Sequence, residues 1–287
     1  MNTLAIGGVP EHFNLPWNLA VQGDAFSDLD VEVRYVEYPQ GTGEMMRAVN
    51  DGEIDVALVL TEGAVAHIAK NGSTGIIGTW VESPLVWGVH CAHGTTPSPN
   101  FPHDARIGIS RPGSGSHLMP LVHARQEGWA QPLVFVEIST LAGAIDAFAS
   151  NGIDAFYWER TMTWPNCEAE QMSLHGVFSA PWPAFVAVCR RDRVDALAAR
   201  WTQILERIER FTEGLLRDRR AFIDLVSESF GIPRKEIRGW LERTTFRPSL
   251  EVSRDGLAAC VNELVAAGIL AQFHEIEELV LDPAKLA

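Results

Sequence analysis

The residues able to do chemistry fall in short polar stretches, each placed just after an apolar run. Pro10-Glu11-His12 follows Leu4-Ala5-Ile6. A carboxylate there could meet an amine or amidine, and an imidazole could donate or stack; the same pair would serve equally in a solvated loop. Gly41-Thr42-Gly43 and Thr61-Glu62 each open a helix-like segment. Backbone N–H groups at Gly41 and Thr42 could face a ligand, or Thr42 could be a plain helix cap. Glu62 suits the positive end of a helix dipole whatever else it does. The richest stretch is Ser110-Arg111-Pro112-Gly113-Ser114-Gly115-Ser116-His117. Its glycines and serines let N–H groups converge at a helix start, where an anionic or electron-rich group is favoured. Ser110, Ser114 and Ser116 add hydroxyls, and Arg111 adds a charge. Trp158-Glu159 closes a later apolar run, where an indole could stack on a flat ligand and the carboxylate could fix its nitrogens. Trp17, Trp87, Trp164 and Trp182 compete for that stacking role, and one or two of the five are expected in a cleft.

Other chemistries lack their residues. No Ser-His-Asp order, His-Glu-x-x-His or Walker loop occurs, and the Gly-x-Gly turns lack dinucleotide-binding spacing. Cys91, Cys167, Cys189 and Cys260 are far apart without a Cys-x-x-Cys, which reads as buried thiols and not as zinc ligands. No metal and no cofactor are expected. Paired acids such as Glu137 and Glu159 keep a general acid–base role open.

These stretches need a scaffold, and the hydrophobic pattern supplies one. Short apolar runs at 3–7, 31–36, 54–60 and 75–81 alternate with helix-like segments, and the same grammar restarts at 106–110, 133–137 and 153–158. This is the pattern of a mostly parallel sheet with helices on its faces, written twice. The segment 162–183 reads as irregular and rich in Trp and Pro. Two apolar extended stretches, Pro84–His90 and Val186–Cys189, read as crossings between the two units. Trp201, Ile204, Leu205, Ile208, Phe211 and Leu215 mark a long amphipathic helix, with shorter helices after it. The expected division is 1–88 with 190–287 as a first lobe, carrying the C-terminal helices, and 89–189 as a second. In open α/β sheets ligands bind beyond the carboxyl ends of the strands. That rule places the loops 8–13, 40–43, 60–63 and 110–117 at one cleft.

The order of these motifs, Gly8 to Phe13, Gly41 to Leu58, Ser110 to His117 and Trp240 to Leu270, resembles type II periplasmic binding proteins. It is similar to the branch of nitrate, sulfonate and thiamine-pyrimidine binders, and the likeness runs along nearly the whole chain. The resemblance implies two α/β lobes joined by a two-strand hinge and closing on a small polar ligand of heteroaromatic or anionic character. It implies a solute-binding partner of an ABC permease, or a cytoplasmic relative. The same branch holds a pyridoxal-phosphate enzyme of thiamine-pyrimidine synthesis; here Val59-Leu60-Thr61 replaces its lysine and no cysteine cluster exists. Cofactor-free enzymes of menaquinone synthesis share the fold, so a lyase or synthase is the alternative to a binding protein.

Composition narrows the partners. With 287 residues the chain exceeds one ordinary core, as two lobes require. A formal net charge of −14 with only three lysines (Lys70, Lys235, Lys285) excludes a phosphate-backbone partner. An effector lobe of a transcription regulator would need a helix-turn-helix, and none stands out. No apolar run reaches bilayer length. Met1-Asn2-Thr3 leads straight into a strand without a basic leader. The expected location is therefore cytoplasmic as the chain stands, or extracytoplasmic if a leader has been removed.

Overall fold

The computed structural model describes residues 3–97, 101–129 and 132–282. Lys285 lies outside them. The chain begins β1 (Thr3–Gly8), α1 (Leu15–Gln22), β2 (Glu32–Glu37), α2 (Thr42–Asp51), β3 (Val56–Leu60), α3 (Thr61–Asn71) and β4 (Thr74–Val81). It continues β5 (Val86–Cys91), β6 (Arg106–Ile109), α4 (Gly115–Gln126), β7 (Val134–Glu137), α5 (Leu141–Ala149), β8 (Ala155–Glu159), α6 (Trp164–Glu168) and β9 (Ser173–Ser179). It ends β10 (Phe185–Arg190), α7 (Val194–Arg217), α8 (Arg219–Phe230), α9 (Arg234–Arg243), β11 (Phe246–Ser249), α10 (Arg254–Ala266) and α11 (Ile276–Leu279).

Two sheets result. One has the order β11-β4-β10-β3-β1-β2, the other β7-β6-β8-β5-β9. The β1–β2 and β1–β3 pairs are parallel, as are β6–β7 and β6–β8. The doubled α/β architecture read from the sequence is therefore present, but both sheets are mixed and not mostly parallel: β10 runs antiparallel to β3 and β4, β11 to β4, and β5 to β8 and β9. Helix boundaries follow local chemistry. Gly52 closes α2 at φ +77, and Met45, Met46, Ala48 and Val49 form its buried face. Thr140, Asp218 and Ser253 cap α5, α8 and α10 by accepting the N–H of Gly143, Ala221 and Gly256.

The crossings differ from the sequence expectation. Phe185–Arg190, assigned above to the second lobe, is a central strand of the first sheet, antiparallel to both β3 and β4. Val86–Cys91 belongs wholly to the second sheet, between β8 and β9. The chain thus passes between sheets at 82–85 and 180–184, in each case earlier in the chain than the apolar stretch that suggested a crossing. The stretch 162–183, read as irregular, contains α6 and the edge strand β9. β10 is apolar on both faces, so its sequence is compatible with either sheet; its partners decide which.

The C-terminal helices cover the first lobe. In α7, Leu197, Trp201, Ile204, Leu205 and Ile208 face inward, and Trp201 stacks on Trp17 of α1 with centroids 6.1 Å apart and rings 1° from parallel. The same helices reach the second lobe. Arg125 of α4 pairs with Glu263 of α10, and Arg160 pairs with Glu236 of α9 at 2.8 Å. Trp201→Ala should remove the main anchor of α7 and lower the unfolding free energy by about 3–5 kcal/mol. Urea denaturation followed by far-ultraviolet dichroism measures this, and a loss below about 1 kcal/mol would contradict the packing described.

Candidate functional site

Where the two sheets approach, residues of both line one cavity of about 80 Å³. The first lobe contributes Val9, Glu11, Pro39, Gln40, Gly41, Thr42 and Leu60, with Phe185 from β10. The second contributes Trp87, Ser110, Arg111, Ser114, Gly115, Ser116, Trp158 and Glu159, and Leu85 comes from the first crossing. A larger cavity of about 360 Å³ lies against β4 and α7. Its walls are mostly apolar and all belong to the first lobe. The interlobe cavity brings polar groups of both lobes together beside aromatic faces.

The serine loop is built as a receptor. Ser114 ends the loop at ψ 163 and α4 starts behind it, so the helix itself cannot satisfy the N–H groups of Gly115 and Ser116. The Ser110 N–H donates to Ser116 Oγ at 2.9 Å, the Ser114 hydroxyl donates to the Arg111 carbonyl at 2.7 Å, and Ser114 Oγ and Ser116 Oγ are 3.0 Å apart. All three serines are nearly buried. Gly115 lets this helix start approach β5 closely: a Cβ there would lie 2.5 Å from the Trp87 ring. Arg111 spans toward the first lobe, its guanidinium lying against Gly43 of α2. Burial lowers its pKa somewhat, with Arg47 adding to the effect. Thr42 has two duties, lining the cavity and accepting the Leu60 N–H at 3.2 Å.

The two acids of the cleft come from opposite lobes. Burial pushes Glu11 up to about 8, and the nearby Glu159 adds to it. Glu159 is pushed up to about 7 by burial, against the hydrogen bonds it accepts, one of them from the Met162 N–H at 2.7 Å.

Five sequence candidates do not line the cavity. His12 is fully buried behind it, packed on Trp240 and Phe13 with centroids 4.3 and 4.5 Å away. Burial lowers its pKa to about 3, so it is neutral. Thr61 donates its hydroxyl to the Pro183 carbonyl, and Glu62 accepts the Trp182 indole N–H at 3.0 Å; both brace the second crossing. Pro10 and Gly113 belong to the right loops without lining the cavity, Gly113 making the turn at φ +80. Of the five tryptophans, Trp87 and Trp158 face the cavity, whereas Trp17 is core, Trp164 lies under Arg160 and Trp182 is in the crossing. Val9, Gln40 and Leu60 also line the cavity and fall within the loops 8–13, 40–43 and 60–63 expected at the cleft, whereas Pro39, Leu85 and Phe185 lie outside those loops.

These buried groups set a pH profile. Glu11, Glu62 (about 7) and Glu159 bind a proton more tightly folded than unfolded, so stability falls as pH rises from the ordinary carboxyl range through 7 to 8. His12 and His90 (about 4) are held neutral, so stability falls as pH drops from the ordinary imidazole range. Protein stripped of small molecules should therefore lose on the order of 1–2 kcal/mol per carboxyl between about pH 6.5 and 8. Glu11→Gln should flatten that slope. Urea midpoints measured across this range check it, and parallel profiles for the two proteins would contradict it.

Residues 87–172, most of the second lobe, match the family described as Ca3427-like PBP. No curated protein sequence matches the chain. The Candida albicans CA3427 gene product, said to define a family with the generic periplasmic binding protein fold, is similar at a TM-score of 0.90. Identity is 24%, over 98% of this chain and 96% of that one. The periplasmic aliphatic sulphonate binding protein SsuA of Escherichia coli gives a TM-score of 0.73 at 17% identity, with 98% of each chain covered. The alkanesulfonate-binding SsuA of Xanthomonas axonopodis pv. citri, bound to MOPS, gives 0.77 at 16%, over 99% and 98%. The chain thus has the periplasmic binding protein fold, and its residues 87–172 resemble the Ca3427-like PBP family.

Proposed function

We propose that the chain is a solute-binding protein that closes its two lobes over a small polar molecule. It acts as the recognition partner of an ABC permease, or as a cytoplasmic relative that sequesters the compound. The observation that carries the reading is the interlobe cavity, with the Ser110, Ser114 and Ser116 hydroxyls and the start of α4 on one lobe, and Gly41 and Thr42 on the other. Two helix starts and Arg111 at one cavity favour an anionic or electron-rich group of the solute. Trp87 and Trp158 offer aromatic faces to its body. SsuA, similar in fold, is a sulfonate-binding protein, which agrees with an oxyanion at the serine loop.

A cofactor-free lyase or synthase is the second reading. It is favoured by Glu11 and Glu159, two carboxyls of raised pKa at one cavity, as acid–base catalysis would use them. Mass spectrometry of small molecules released from freshly purified protein separates the two. Binding predicts one metabolite recovered unaltered after prolonged incubation, whereas catalysis predicts its conversion. Ser114→Ala combined with Trp158→Ala should weaken the affinity for the recovered metabolite at least about tenfold, measured calorimetrically. Unchanged affinity in the double variant would refute this placement of the site.

A further inference from the structure

The acid pair has a property that an oxyanion site does not explain. Glu11 and Glu159 reach the cavity from different lobes, and among the described residues neither is ion-paired with a lysine or arginine, although the Arg160 charge favours the Glu159 carboxylate. Among the described residues the Glu11 carboxyl has no hydrogen-bond or ion-pair partner. Glu159 is 4% exposed and accepts hydrogen bonds from Met162 and Thr161. The basic groups nearby are turned to other tasks. Arg160 pairs with Glu236 at 2.8 Å and lies over Trp164. Arg111 interacts with Glu44, Glu137 and Arg47. Tyr35, behind Glu11, directs its hydroxyl to the Val9 carbonyl at 3.3 Å.

His12 is the independent sign. Its ring is fully buried, neither nitrogen has a hydrogen-bond partner among the described residues, and Nε2 points at Glu159 Oε2 from 3.9 Å. A neutral imidazole at that separation gives the carboxylate no countercharge. A partly buried and a buried carboxyl at the cavity, with an unsatisfied imidazole behind them, cost stability unless something entering the cavity compensates the carboxyls.

We infer that Glu11 and Glu159 together receive a cationic N–H group of the solute, an amidinium or an ammonium, gripped by one carboxylate from each lobe. This rests on the solute-binding reading above and adds a second pole to it: the solute carries an electron-rich end for the serine loop and a nitrogen cation for the acids. Because the grip needs both lobes, the cation favours the closed form over an open one. In the empty cleft the pair retains a proton, which the arriving cation displaces to solvent.

Two fragments test the two poles separately on solute-stripped protein: acetamidinium chloride for the acids and sodium methanesulfonate for the serine loop. Both are titrated calorimetrically against sodium chloride of equal ionic strength. Acetamidinium should bind in the millimolar range at pH 7.5 and release up to about one proton, seen as a binding heat that varies with the buffer's ionisation enthalpy. Glu11→Gln and Glu159→Gln should each weaken it at least about tenfold. Absence of acetamidinium binding, or binding that survives both glutamine substitutions, overturns the inference. If Glu159→Gln does not fold, Glu11→Gln and the proton release decide. Methanesulfonate failing while acetamidinium binds would refute the oxyanion reading and leave the acid pair standing; the opposite pattern refutes the acid pair alone.

Discussion

The two-lobed arrangement depends on how the start of α3 grips the second crossing. Thr61 donates its hydroxyl to the Pro183 carbonyl, its N–H donates to the Ala184 carbonyl at 3.2 Å, and the Glu62 carboxyl accepts the Trp182 indole N–H. The Ala184 N–H in turn donates to the Ser83 carbonyl of the first crossing at 3.1 Å. Both passages between the sheets are thereby tied to one helix terminus. This bracing fixes the two crossings against each other, and with them the ends of β5 and β10 whose neighbouring loops line the cavity. The cost is a carboxyl buried at 2% exposure with one oxygen lacking a partner, and its pKa rises accordingly.

Around that fixed point the cleft is chemically divided. The serine loop and the first turns of α2 and α4 present N–H and O–H donors, which suit negative charge. Glu11 and Glu159 present acceptors, which suit positive charge. Between them Trp87 is held by Gly115 on one side and sits opposite Glu159 in the β5–β8 register. Salt bridges from Arg125 and Arg160 to the C-terminal helices lie outside the cleft and join the lobes there. Partly exposed pairs of this kind contribute little to stability individually, which leaves room for the lobes to part.

The sequence made the repeated α/β pattern legible because parallel strands buried on both faces read as apolar runs separated by turn residues. The serine loop was legible for a local reason: its small residues and its position at a strand-to-helix turn belong to one contiguous segment. Non-local information was not legible. Phe185–Arg190 is buried along its length and fits either sheet, so nothing within it reveals that it pairs with β3 and β4. His12 reads as a polar loop residue until Trp240 and Phe230, more than two hundred positions away, are brought against its ring. Thr61 and Glu62 have the right types and place for a ligand, and their partners, supplied by the crossing, take them out of the cleft. β9 escaped notice because His175 and Gly176 interrupt the alternation in an edge strand that is exposed on several positions.

If a solute sits between the lobes and touches both, as proposed, a crystal structure of the protein with a bound small molecule should show density for it within hydrogen-bonding distance of the Ser114–Ser116 turn and in contact with Glu11 on the facing lobe. Density confined to one lobe, or in the apolar groove beside α7, would contradict it.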